Sequence, residues 1–360
     1  MIFRQLVDGR SSTYTYLLAD EDTLEAVIID PVYEQAPRDC ALVRELGLEV
    51  SATLDTHVHA DHVTAAWLLR RDLGSQVMLA ASGGAKGFDR GLAQGDTIEF
   101  GRHSLEVRET PGHTGGCLSF VLDGGVMAFT GDALLIRGAG RTDFQQGDPA
   151  QLFNSVHTQL FSLPDTCLIY PAHDYAGRTV SSVAEERAYN PRLGGQRSAG
   201  DFVGYMNNLG LPHPKQLAVA LPANLRCGAP ASGEAPLQAP DWGPLRYSYA
   251  GIWELDGSWL EEHREQVLVL DVREPEEFDG ALGHIPGARL LPIGELAARA
   301  DTLPKDRPIV AVCRSGGRSA QATVILRKAG CERVANLAGG MIHWLDLGLG
   351  VAEGEPRCEV

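Results

Sequence analysis

No two cysteines of the chain are spaced C-x-x-C, and the seven present are odd in number. That excludes a disulfide framework and fits a reducing compartment in which a thiol stays reactive. Long apolar runs are missing too. The runs present, such as "VLVL" and "IVAV", fall far short of the ~20 residues a spanning helix needs, so a membrane partner is not expected. Positive charge is scarce: 31 Lys and Arg stand against 47 Asp and Glu, a formal net charge of −16. Such a balance argues against nucleic acid or an anionic lipid surface as partner. The opening stretch "MIFRQLVDGRSSTYTYLLAD" has neither a basic leader nor a continuous apolar segment, so a cytoplasmic location is expected. What is present, 44% hydrophobic and 22% charged residues, is ordinary for a globular protein.

At roughly 100–200 residues per domain, 360 residues predict two domains. Up to about residue 175, β-rich runs such as "YTYLLAD", "EAVIID" and "CLSFVLDGGVMAFTGD" alternate with turn signals. Amphipathic helices fit at "RDCALVRELGL", "ADHVTAAWLLRRDLG" and "DPAQLFNSVHTQLFSLP", the last opening on Asp148 and Pro149 as cap and first helical residue. The Pro-, Ala- and Gly-rich stretch from about 222 to 245 has no period and reads as a linker. Beyond it, "QVLVLDVRE", "PIVAVCRSGGRSAQATVILRKAG" and "RVANLAGGMIHWLD" predict a small parallel α/β domain. The expected domains are residues 1–235, linker included, and 250–358.

Two constellations carry chemistry. The first is "THVHADH", residues 56–62, which supplies His57, His59, Asp61 and His62. Further on, His113, Asp132 and His173 stand at strand-end-like positions. Imidazole and carboxylate suit zinc, iron or manganese. Alternate residues of an extended segment point the same way, so His57 and His59 can share a cavity, with Asp61 and His62 opening the next helix. Seven ligand-type residues on their own favour two zinc ions, bridged by Asp132, with a metal-activated water as nucleophile.

The second is "CRSGGRS". Cys313 ends an apolar strand in a Gly-rich loop that turns into a helix, with Arg314 and Arg318 alongside. Backbone N–H groups and guanidinium charge aimed at a sulfur lower its pKa and stabilise thiolate or a bound anion.

The first 180 residues resemble the metallo-β-lactamase superfamily, whose H-x-H-x-D-H motif is matched residue for residue. This implies an αββα sandwich with metal at the strand ends. "GDALLIRGAGRTDFQQGD", with "THVHADHVTAAWLLR" and "PAHDYAGR", resembles the persulfide dioxygenase branch more closely than the glyoxalases. The resemblance implies one Fe(II) per chain on His57, His113 and Asp132. His59, Asp61, His62 and His173 would then be supporting hydrogen-bonding groups, joined by Tyr175. It implies glutathione persulfide, O2 and water as substrates and sulfite and glutathione as products, with Arg137 and Arg141 as candidates to hold a glutathione carboxylate. The alternative is a dinuclear zinc thioester hydrolase of glyoxalase II type.

Residues 250–355, with "LDVREPEEFDGALGHIPGARLLP", "CRSGGRS" and "NLAGGMIHWLDLGLGV", resemble a single rhodanese domain. The loop from Cys313 to Arg318 has the sulfurtransferase length; a related phosphatase branch uses one residue more. By this resemblance Cys313 takes up sulfur from thiosulfate as a persulfide. Arg314, Ser315, Gly316, Gly317, Arg318 and Ser319 would cradle the anion, and glutathione would take up the sulfur. Cys331 and Cys358 read as structural, as does an ion pair of Asp271 with Arg273. Both halves therefore point to sulfane sulfur, and a homodimer is allowed for.

Overall fold

The alternating strands read from the sequence form two six-stranded sheets in the first part of the chain. One holds β1 (Ile2–Asp8), β2 (Thr13–Ala19), β3 (Glu25–Ile29), β4 (Glu49–Leu54), β5 (Gln76–Ala80) and β6 (Arg90–Leu92) in that order. The other holds β7 (Thr97–Phe100), β8 (His103–Glu109), β9 (Leu118–Leu122), β10 (Met127–Gly131), β11 (Leu168–Pro171) and β12 (Ser181–Ser182). Alternation of side chains sorts the faces. Tyr14, Tyr16 and Leu18 of β2 meet Phe120, Phe129 and Tyr170 in one core between the sheets. Leu17 and Ala19, on the other face of β2, pack with residues of α1 (Ala36–Glu45) and α2 (Ala66–Leu73). Outside the second sheet, Val121, Ala128 and Ile169 meet α3 (Pro149–Ser155), a π-helical turn Val156–Leu160, α4 (Val183–Tyr189) and α5 (Ala199–Asn207). The result is a helix–sheet–sheet–helix sandwich. α6 (Leu217–Asn224) follows.

The structure, a computed structural model, describes residues 1–212, 214–231 and 240–352. It separates into two compact units, Met1–Pro236 and Leu237–Val360. The second unit has one sheet in the order β13-β14-β18-β17-β15-β16, parallel except for the β13–β14 pair. Its strands are β13 (Arg246–Tyr247), β14 (Trp253–Leu255), β15 (Leu268–Asp271), β16 (Arg289–Leu290), β17 (Ile309–Val312) and β18 (Val334–Leu337). α7 (Gly257–His263) and α11 (Gly340–Asp346) contribute Leu260, Met341 and Trp344 to one cluster. α9 (Ile293–Arg299) and α10 (Gly317–Lys328) contribute Leu296, Ala322 and Leu326 to another; α8 (Pro275–Phe278) is a single turn. β17 is buried along its whole length, as a central parallel strand with both faces covered must be.

Two sequence expectations change. Asp61 and His62 do not open a helix; α2 begins at Ala66. The intervening backbone is held instead by Asn224, whose amide donates to the carbonyls of His59 (2.9 Å) and His62 (2.7 Å) and accepts from Thr64 N–H (2.9 Å). Peptide groups satisfied by a distant side chain need no helical ladder. The stretch from 222 onward is accordingly not all linker. Asn224 and Cys227 are 2% exposed within the first unit, and residues 232–239 lie outside the described residues.

Candidate metal centre and cysteine loop

β8 runs antiparallel to β9, and β9 antiparallel to β10, so β8 and β10 share a direction, which β11 also takes. Their carboxyl ends therefore meet on one edge, and the next residues include His113, Asp132 and His173. His57 and His59 follow β4 of the facing sheet. Close approach is made at Gly140: a Cβ there would lie 2.4 Å from the Asp132 carbonyl and 2.8 Å from His113 Nδ1.

His57, His113 and Asp132 are buried, and each offers a ligand atom within 4.8 Å of the others. Hydrogen bonds fix the tautomers. The Thr56 hydroxyl donates its proton to Asp30 Oδ2 (2.9 Å), so at 3.0 Å it accepts from His57 Nδ1–H. His113 Nδ1–H donates to the carbonyl of Arg141 (2.6 Å). Both rings thus keep Nε2 as an open lone pair, with His113 Nε2 lying 3.6 Å from Asp132 Oδ2. The other carboxylate oxygen, Oδ1, is taken by His173 Nδ1 at 2.7 Å. Burial, reinforced by His59 and His113, pushes His57 well below its ordinary pKa and keeps it neutral. Burial opposes ionisation of Asp132, but His173, His113 and His57 outweigh it and hold the carboxyl below its ordinary range. Two imidazole lone pairs and one carboxylate oxygen, each oriented by a hydrogen bond on its far side, fit a divalent metal that takes N and O ligands.

The remaining four ligand-type residues, His59, Asp61, His62 and His173, form a second group. His173 also reaches Asp61 Oδ2 through Nε2 (2.9 Å). Burial disfavours its charge, yet the two carboxylates raise its pKa well above the ordinary value. His62 Nδ1 lies 3.0 Å from Asp61 Oδ2, and His59 Nε2 lies 3.0 Å from Asp30 Oδ1. His59 Nδ1 and His62 Nε2 are buried without a partner. In the midst of the group sits the hydroxyl of Thr13, 3.0 Å from His173 Nε2 and 3.3 Å from His62 Nδ1.

A cleft of about 280 Å³ opens onto His57, His113, Asp132 and His173. Arg137 and Arg141 line it, but neither guanidinium is free. Arg137 pairs with Glu185 and with Glu186 Oε1 (2.6 Å); Arg141 forks onto Asp143 (2.6 Å) and donates to the carbonyls of Leu211 and Pro212. Arg192, which spacing did not single out, also lines the cleft. Its guanidinium donates to the Ala139 carbonyl (3.0 Å), lies 5.0 Å from the ring centre of Tyr205, and has no carboxylate partner among the described residues. Tyr175 is 74% exposed and makes no hydrogen bond to the ligand set; its ring lies parallel to His173 at 6.1 Å. Thr13, Asn224 and Arg192 were invisible to motif reading because each comes from a different part of the chain and none belongs to a short pattern.

In the second unit Cys313 follows β17, and Gly316, with φ of 95°, turns the chain into α10. The sulfur accepts from Gly316 N–H and from the Ser319 hydroxyl, both at 3.2 Å. Burial works against the thiolate, but Ser319 and the loop amides outweigh it and set Cys313 below the ordinary thiol pKa. The Cys313 and Arg314 carbonyls are tied back by the amides of Met341 (2.9 Å) and Ile342 (3.0 Å) of α11. Arg314, Ser315 and Gly317 are exposed and Ser319 is buried. Arg318 forks onto Glu277, both contacts 2.6 Å, so of the two arginines only Arg314 has no ion pair among the described residues. Asp271 and Arg273 form a buried pair, and Arg273 also donates to the Glu277 carbonyl, buttressing the same wall. Cys331 is buried and Cys358 lies outside the described residues.

The metallo-beta-lactamase superfamily model matches residues 8–173, and the rhodanese-like domain model matches residues 256–347. The persulfide dioxygenase ETHE1, mitochondrial, of Homo sapiens is 55% identical over 229 residues, covering 63% of this chain and 89% of the human protein. The crystal structure of ETHE1 from Myxococcus xanthus is 50% identical and superposes with a TM-score of 0.61, over 63% of this chain and all of that one. A metallo-beta-lactamase structure from Staphylococcus aureus, at 23% identity and a TM-score of 0.60, covers 94% of this chain and 98% of its own, a likeness of fold.

Proposed function

The chain belongs to the metallo-beta-lactamase superfamily, grouped over its first unit with the ETHE1 proteins, and ends in a rhodanese-like domain; from this premise we propose that it is a two-site enzyme of sulfane-sulfur metabolism. At the first site glutathione persulfide, O2 and water give glutathione, sulfite and two protons. At the second, Cys313 takes the outer sulfur of thiosulfate, releasing sulfite, and passes it to glutathione, which regenerates the persulfide. We place this chemistry in the cytoplasm.

The observation that carries the first assignment is the convergence of His57 Nε2, His113 Nε2 and Asp132 Oδ2 on one buried point, with His173 holding the second oxygen of Asp132. A single Fe(II) held there supplies redox capacity toward O2 and affinity for a soft terminal sulfur. The chain's own groups do the rest. Thr56 and the Arg141 carbonyl keep the two imidazoles in the ligating tautomer. The cleft gives a substrate access to this ligand set, and Arg192 in its wall offers a guanidinium to a glutathione carboxylate. Arg137 and Arg141, already paired, shape the wall.

The second assignment rests on the amides and hydroxyl that face Cys313 Sγ, which favour thiolate and later a persulfide anion. The two unpartnered nitrogens, His59 Nδ1 and His62 Nε2, favour the competing reading of a two-zinc thioester hydrolase. Oxygen uptake by the iron-loaded full-length protein separates the two. We expect uptake with glutathione persulfide, abolished in His113→Ala. Cys313→Ser should retain it but lose uptake driven by thiosulfate plus glutathione. Two zinc ions per chain with thioester hydrolysis and no uptake would sink the dioxygenase reading.

A further inference from the structure

Arg318 stands in the first turn of α10, one residue before Ser319, whose hydroxyl reaches Cys313 Sγ. Its guanidinium is nonetheless committed elsewhere, because Nη1 and Nη2 fork onto the two carboxylate oxygens of Glu277. That carboxylate is not carried on a freely swinging side chain. Glu277 belongs to the single turn α8; its Oε2 also accepts the Glu274 N–H (3.2 Å), and its carbonyl accepts from Arg273 (3.1 Å). Arg273 is fully buried against Asp271 and donates a further bond to the Gly283 carbonyl (2.7 Å). The turn is therefore a fixed support for a negative charge beside the loop. Arg318 holds the Glu277 carboxyl down at about 2, so that charge is present throughout the neutral range.

We propose that Glu277 is a specificity-determining residue of the cysteine loop: by neutralising Arg318 it leaves Arg314 as the loop's one uncompensated cation among the described residues, and so disfavours dianionic sulfur donors. The inference rests on the reading of Cys313 as the sulfur acceptor and names the class of donor it takes. Thiosulfate is a dianion, whereas an alkyl persulfide or a thiosulfonate carries a single negative charge at its reacting end. With any of them the Cys313 thiolate attacks the outer sulfur and a new S–S bond forms. The electron pair of the broken bond leaves on sulfite, on a thiolate or on a sulfinate. Coulomb energy scales with the product of the charges, so a carboxylate beside the loop repels a dianion about twice as strongly as a monoanion, and a freed guanidinium attracts it about twice as strongly.

The full-length protein is assayed, with glutathione as acceptor, for sulfite release from thiosulfate and for methanesulfinate release from methanethiosulfonate, and the two kcat/KM values are compared as a ratio. The paired side chains are 35% and 34% exposed, so solvent screens them and the expected effect is modest. Glu277→Gln should raise the ratio of thiosulfate to methanethiosulfonate about fivefold, chiefly through a lower KM for thiosulfate. Glu277→Asp, too short for the fork, supplies the same comparison should Glu277→Gln fail to fold, and should shift the ratio the same way by less. The double variant Glu277→Gln/Arg318→Gln carries neither charge and should return the ratio to near the wild-type value. A ratio unmoved in Glu277→Gln of wild-type circular dichroism, or a raised ratio that persists in the double variant, would overturn the proposal. Failure of the underlying reading shows separately, as a wild type that releases neither product from either donor, and it takes the proposal with it.

Discussion

The two units solve one problem, holding reactive groups at the carboxyl ends of strands, in opposite ways. In the first, side chains from the ends of four strands on two sheets converge, and the supporting contacts span up to 165 residues of sequence. In the second, one loop of seven residues supplies the nucleophile and most of the groups that face it. The cysteines mark the same contrast. Cys117, four residues after His113, is pushed up to about 12 because burial outweighs the Thr114 amide and hydroxyl at its sulfur, while Cys313 falls below the ordinary value because Ser319 and the loop amides outweigh burial. Both sulfurs are faced by an amide and a hydroxyl, so donors as such do not separate them; around Cys313 three loop amides and the Ser319 hydroxyl together win over burial, and around Cys117 the donors of Thr114 alone do not. A dispersed site depends on the packing of the whole sandwich, and a contiguous one on local backbone geometry.

Substitutions that damage one site and spare the other test that contrast. The largest effect is expected from Gly140→Val, whose side chain would collide with the Asp132 carbonyl and His113 Nδ1. Oxygen uptake with glutathione persulfide should fall by at least ~100-fold, since displacement of about 1 Å is enough for that. Sulfur transfer from thiosulfate should be unchanged; loss of both would show that the sites are not independent. Asn224→Ala should come next. It strips a partner from two buried carbonyls and an N–H of the "THVHADH" segment, with an expected cost of about 3 kcal/mol to the first unit. Chemical denaturation followed unit by unit, with the rate of metal loss to a chelator, checks it.

Arg192→Leu should raise KM for glutathione persulfide ~10- to 100-fold, the worth of a charge-assisted hydrogen bond, with kcat nearly unchanged. An equal fall in kcat would refute the anchoring role. The smallest effect is a pH shift. Because the Cys313 pKa is lowered, its thiolate appears at lower pH than that of an ordinary thiol, and alkylation should rise through a midpoint below the usual thiol range. Ser319→Ala removes one donor to the sulfur and should move that midpoint upward; an unmoved midpoint assigns the effect to the backbone amides alone.

Much of the second unit was legible because its chemistry is contiguous. "IVAV" is a buried strand, Gly316 adopts the positive φ the turn requires, and the helix begins at Gly317. The first site was legible as residue types. His57, His113 and Asp132 do come together, and the other four form their own cluster. Less legible were the roles of charged groups. Arg137 and Arg141 looked like substrate anchors, but Glu185, Glu186 and Asp143, from elsewhere or nearby in the chain, already hold them. The helix expected from Asp61 fails because Asn224, in what read as linker, satisfies that backbone from outside.

The sequence by itself determined the alternation of strands and helices in both units, through the periods of its apolar residues, and the inventory of ligands and nucleophile, through local motifs; the sandwich was expected from the family resemblance those motifs carry. Tertiary structure alone decided which nitrogen of each imidazole stays open, which arginine is left unpaired, and that Thr13 occupies the middle of the second ligand group. Periodicity is a property of neighbours along the chain. A tautomer, an ion pair or a filled gap depends on which distant side chain arrives within about 3 Å, and only the packed fold brings it there.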